Sequence, residues 1–141
     1  MPTDATDFAE ALIAGTSDAV IFADADGTIT RWNPAATRMF GYAAAEAIGR
    51  SLHLIIPDTL RARHWQGYRE TMRTGQTRYG DGQILAVPAL RKDGSRLSVE
   101  FTIVPSLDQV GRMCGIGAIL RDVTARFDEM RALRKPLAAR G

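Results

Sequence analysis

The chain has 141 residues, 45% hydrophobic and 24% charged, with 13 Gly, 6 Pro and one Cys. That length suits one domain with a modest core, and a lone cysteine excludes an internal disulfide and a cysteine-rich zinc module. The net charge is +2, unevenly spread: residues 1–49 carry 2 basic and 7 acidic groups and residues 50–141 carry 16 and 9, a near balance that argues against a nucleic-acid partner.

The acidic, polar opening Met1-Pro2-Thr3-Asp4 is unlike a secretory signal, and no apolar run approaches bilayer length. A cytoplasmic protein that does not engage a membrane is expected. Residues 5–16 read as a helix with Phe8, Leu12 and Ile13 on one side and Gly15 at its close. A hairpin follows: residues 19–23 are β-rich, Asp24-Ala25-Asp26-Gly27 is the turn, and residues 28–32 alternate as a half-buried strand. Asn33-Pro34 starts a helix, with Asn as cap and Pro at the first helical position, and Gly41 ends it. A short helical turn over 43–48 stops at Gly49, and Leu52 to Ile56 is a small apolar segment closed by Pro57.

Asp58 or Thr59 is expected to cap the longest middle helix, which runs to Thr74 before Gly75 terminates it. Leu60, His64, Tyr68 and Met72 recur every four residues, which places His64 on the inward stripe. Three strands are expected next, over 79–90, 95–105 and 113–121, and Asp122-Val123-Thr124 then caps a helix through Phe127, Met130 and Leu133 that Pro136 stops. The pattern predicts an α+β domain with a five-stranded antiparallel sheet, short helices over one face and a helix flanking each end. The expected division is a helical cap over 1–16, the domain proper over 17–124, and a helix with its tail over 125–141. A pocket is expected between the sheet and the inner face of residues 58–74.

Five motifs fall in the order found in one family. Asp18-Ala19-Val20-Ile21-Phe22-Ala23 with Asp26-Gly27 opens the series, followed by Trp32-Asn33-Pro34-Ala35-Ala36 through Phe40-Gly41-Tyr42 and by Glu46-Ala47-Ile48-Gly49-Arg50. Arg91-Lys92-Asp93-Gly94 and Arg121-Asp122-Val123-Thr124 complete it. Over residues 16–125 the chain resembles the PAS sensory domains. The resemblance implies a PAS fold and a sensing or signalling role, with the helix after Thr124 passing signals to an output domain or dimer partner. With almost no output following, a stand-alone domain or an excised fragment is implied.

Some PAS domains hold haem b through a histidine on the long middle helix. Leu60-Arg61-Ala62-Arg63-His64 resembles that ligand segment in oxygen-sensing histidine kinases and oxygen-sensor phosphodiesterases. The resemblance implies His64 as the iron ligand, Arg69 and Arg73 as propionate partners, Tyr68 beside His64, and Phe101 and Ile103 along the distal wall. The kinases place an Arg distally and the phosphodiesterases a Met; this chain offers Gln83 instead, so a diatomic gas is implied without its identity. The alternatives are a core or pocket-edge role for His64 in a haem-free PAS domain that binds a small organic ligand or mediates dimers, and a haem-dependent peroxidase-like enzyme. Homodimers are expected through the helices of residues 5–16 and 122–134. His53 reads as structural, and Met72 and Met113 as core fillers rather than sixth ligands.

Other chemistries find no support. Cys114 sits in a strand pattern, not in the reactive helix of a flavin photoreceptor of the light-oxygen-voltage type. There is no G-x-S-x-G elbow, H-E-x-x-H pair, P-loop or dinucleotide fingerprint, so a binding and sensing module is expected rather than an enzyme. The run Arg61, Arg63, Arg69, Arg73 and Arg78 with Trp65 for stacking would suit nucleic acid, but a solvated helix face explains it more simply.

Overall fold

The first hairpin shows why the chain turns back on itself. In the computed structural model, which describes residues 5–76 and 85–140, β1 (Ala19–Asp24) and β2 (Ile29–Trp32) pair antiparallel across a turn. The Asp24 carboxylate accepts the backbone N–H groups of Asp26 and Thr28, and Gly27 takes φ +83°, where any side chain would be strained. Three further strands, β3 (Leu85–Leu90), β4 (Arg96–Leu107) and β5 (Met113–Asp122), complete an antiparallel sheet in the order β2-β1-β5-β4-β3.

Register assigns the faces. Partners across a ladder point to the same side, so Ala19 and Ile21 of β1, Leu97, Val99, Phe101 and Ile103 of β4, and Ala118 and Leu120 of β5 share the inner face. Over it lie α2 (Pro34–Phe40), α3 (Ala44–Ala47) and a 3₁₀ turn, Leu52–Ile55. Phe40 is fully buried and packs with Trp32 at 5.7 Å between ring centroids, a burial worth about 1.5–3 kcal/mol.

Asn33 ties this half together. Its Oδ1 accepts from the N–H groups of Val20 and Ala36, and its Nδ2 donates to the carbonyls of Ile13 and Asp18, at 2.8–3.1 Å. One side chain therefore caps α2, fixes the start of β1 and anchors α1 (Ala5–Gly15), which Arg31 also holds through Glu10. At the far end Val123 donates to the Ser98 carbonyl, the Thr124 hydroxyl accepts from Ser98 N–H, and Arg126 of α5 (Thr124–Arg140) pairs with Glu100. The exit from β5 is thus bonded to the outward groups of β4.

Three expectations need correction. The cap of α4 (Asp58–Thr74) is Pro57 rather than Asp58 or Thr59, because proline's fixed φ of −56° already sets the extended entry; Asp58 is the first-turn acid and pairs with Arg61. The helix α5 does not stop at Pro136 but runs to Arg140, since proline deletes one backbone bond there without unwinding the turns on either side. Strand β4 extends two residues past Pro105, which pairs with Ile116 inside the ladder. The part of the expected strand over 79–84 lies outside the described residues. Among the described residues no helix is long and apolar enough to cross a membrane.

Candidate functional site

The helix α4 is polar over most of its surface, and only one strip of it meets the domain. Tyr68 is buried and Leu60, His64 and Met72 are half-buried, as the four-residue recurrence requires; Trp65, off that recurrence, is half-buried too. Gly75 closes the helix at φ +73° with its N–H donating to the Thr71 carbonyl. Tyr68 donates its hydroxyl to the carbonyl of Asp24 at the end of β1. Burial above all, with the nearby Asp24 and Asp26 charges, pushes the Tyr68 pKa far above its ordinary value, so the phenol stays protonated as a donor.

His64 is treated differently by the fold. Its Nδ1 is buried and has no hydrogen-bond partner among the described residues. Burial, then the neighbouring His53, hold its pKa below the ordinary imidazole value, which leaves the ring neutral near pH 7. Trp65 meets it edge to face at 4.7 Å between centroids and Tyr68 flanks it at 5.8 Å.

Trp65 and His53 were not among the residues expected at the site, yet the fold brings both to it. The indole N–H of Trp65 donates to His53 Nδ1 at 2.7 Å, and its six-membered ring fills the space where a Cβ on Gly27 would stand, 2.2 Å from Cη2 and Cζ3. Trp65 is therefore not a free stacking platform. The spacing of Trp65 and Tyr68 marks neighbouring positions on α4, but no local signal pairs Trp65 with His53.

The remaining expected residues divide. Phe101 and Ile103 lie half-buried on the inner face of β4, Phe101 against the core. Arg73 is engaged by Glu70 through two hydrogen bonds, whereas Arg69 is exposed and makes no ion pair with a described residue. Gln83 lies outside the described residues. Met72 and Met113 are half-buried, and Cys114 is exposed on β5 with its Sγ 3.5 Å from the Ser106 carbonyl.

A family model described as the PAS fold matches residues 14–127. The chain belongs to the PAS family. The PAS domain of a protein from Colwellia psychrerythraea superposes with a TM-score of 0.74 at 22% identity, over 86% of this chain and 99% of that one. Two curated sensors also match this PAS domain. Sensor protein FixL of Bradyrhizobium diazoefficiens is 33% identical over 86 residues, 61% of this chain and 17% of that protein. Oxygen sensor protein DosP of Escherichia coli is 27% identical over 108 residues, 77% of this chain and 13% of that protein. The chain thus spans less than a fifth of either relative.

The residues fit an iron porphyrin in one respect: a neutral imidazole whose Nδ1 has no hydrogen-bond partner among the described residues can lend a lone pair to a metal. Among the described residues there is no cluster of three or more His, Cys, Asp or Glu side chains able to hold a bare metal ion, so attachment would rest on His64 alone.

Proposed function

We propose that this PAS domain is a haem b sensor in which His64 holds the iron and that it responds to a diatomic gas or to redox state. The observation that carries the reading is the His64 ring: neutral, half-buried, and with a nitrogen that no group among the described residues satisfies. Similarity to a protein named an oxygen sensor supports it. Haem would supply a site for reversible gas binding or one-electron change. In the chain itself, His64 holds the iron, Tyr68 and Trp65 bracket the imidazole, Phe101 and Ile103 exclude water from the sheet side, and Arg69 offers a propionate partner, with Arg73 only if it leaves Glu70. Gln83 is the candidate for contact with bound gas. The role is sensing, not catalysis.

The chain is further proposed to work as a homodimer through its terminal helices. Phe8 and Leu12 of α1 are 61% and 56% exposed, and Met130 and Leu133 of α5 are 48% and 66% exposed, an apolar surface that a partner helix would cover. Size-exclusion chromatography with light scattering should report a dimer, and a monomer at high concentration refutes this.

Absorption spectroscopy after reconstitution with haemin tests the central reading. A sharp Soret band that is lost or displaced in His64→Ala is expected, followed by spectral shifts with carbon monoxide or oxygen after reduction. A chain that refuses haemin, or a band unchanged in His64→Ala, overturns it and leaves a PAS domain with another ligand.

A further inference from the structure

We propose that His53, acting through Trp65, is a positioning residue for His64, so that the tilt of the imidazole is set by the 3₁₀ turn and the first hairpin as well as by α4. Its functional meaning rests on the haem-sensor reading, while its geometry stands without it.

A histidine that serves a metal is normally oriented by a hydrogen bond on its other ring nitrogen. Neither ring nitrogen of His64 makes a hydrogen bond among the described residues, so whichever one faces a metal the orientation of the ring has to come from what packs against it. Trp65 is the nearer of the two aromatic neighbours, its centroid 4.7 Å away at an interplanar angle of 75°. Trp65 is itself held from three sides. Its Nε1–H donates to His53 Nδ1 at 2.7 Å, which fixes the rotation of the indole about its Cβ–Cγ bond. Its six-membered ring lies against Gly27, whose φ of +83° and missing Cβ leave that space to the indole. Tyr68, bonded to the Asp24 carbonyl, closes the third side at 5.4 Å.

The supports on two of those sides belong to other elements. Leu52 N–H donates to the Gly27 carbonyl, and Ser51 bridges Thr28, so the 3₁₀ turn carrying His53 and the hairpin carrying Gly27 are bonded to each other. Trp65 is thus wedged into a rigid corner, and a movement of His64 toward or away from the sheet must displace the indole or be resisted by it. Conversely, a shift of the 3₁₀ turn reaches His64 through one hydrogen bond and one ring contact.

The protein labelled with heavy nitrogen at histidine and tryptophan, studied without haem by proton–nitrogen correlation spectroscopy at mildly alkaline pH, reads the coupling directly. His53→Ala and His53→Leu should displace the Trp65 indole N–H resonance and, with it, the ring resonances of His64. His53→Asn, whose carbonyl can accept the same N–H, should return both toward the parent positions. His53 is exposed, so these variants are expected to fold, with circular dichroism as the control. His64 resonances that stay fixed in His53→Ala and His53→Leu while the indole resonance moves overturn the proposal. Haemin loading separates the two readings: coupled resonances in a chain that takes no haemin refute the haem site and uphold the positioning pair, whereas bound haemin with unmoved His64 resonances refutes the pair alone.

Discussion

At Asn33 one buried amide closes four hydrogen bonds among α1, β1 and α2, whereas at His64 a buried ring nitrogen closes none. Both positions take a polar group out of water, and that costs free energy unless a partner is supplied. The amide is matched bond for bond, which is how a side chain that specifies architecture is treated. The imidazole is left with capacity to spare, which is what the proposed iron site requires. The two halves of the molecule follow the same division: α2 and the hairpin are pinned by caps and ladders, while α4 meets the domain along a single strip.

Asn33→Ala gives the strongest test of that contrast. It orphans two N–H groups and two carbonyls and removes the α2 cap, so chemical denaturation should show a loss of about 3–5 kcal/mol. A loss below about 1 kcal/mol would remove Asn33 from its role as hub. Gly27→Ala ranks next, because the left-handed conformation alone costs about 1–2 kcal/mol and the new methyl meets Trp65 as well. Near-ultraviolet circular dichroism should change with it as the indole is displaced, and an unchanged signal would separate Trp65 from the hairpin.

His64→Leu should behave in the opposite sense to Asn33→Ala. Removing a buried nitrogen that lacks a partner is expected to cost less than about 1 kcal/mol, or to stabilise, while abolishing haemin binding. The pH profile sharpens the point. The folded-state pKa of His64 is depressed below the ordinary 6.5, so the folded and unfolded chains differ in protonation only at and below that value. There the unfolded chain takes up a proton that the folded chain refuses, and stability falls as pH drops through 6.5 until the folded ring also protonates. His64→Leu should flatten this acid-side slope, measured by thermal melts across the range; an unaltered slope would show that another group carries it. The smallest expected effect separates two arginines: Arg69→Ala should weaken haemin binding roughly 3–10-fold and Arg73→Ala less, since Glu70 already engages Arg73. Equal losses in a haemin titration would show that Glu70 releases Arg73.

Much of the fold was legible because its signals are local. Asn33-Pro34 names a cap and a first helical residue, Asp26-Gly27 names a turn, and Gly75 closes α4, all within a few residues of the structure they dictate. Where the local rule had a rival it misled: Asp58 is a fair cap, but Pro57 before it already imposes the entry, and Pro136 weakens a helix without ending it. The inward placement of His64 was legible too, from the recurrence of Leu60, Tyr68 and Met72 around it.

By itself the sequence determined the order and kind of the elements, the stripe on α4 and the family to which the chain belongs, since turns, caps and periodicity act over short separations. Only the tertiary structure decided which polar groups find partners. Whether Asn33 would meet the Ile13 and Asp18 carbonyls, whether His64 Nδ1 would meet nothing, and whether Trp65 would reach His53 depend on how close separate elements approach. Such approaches are set by the packing of the whole domain, which no window of sequence contains.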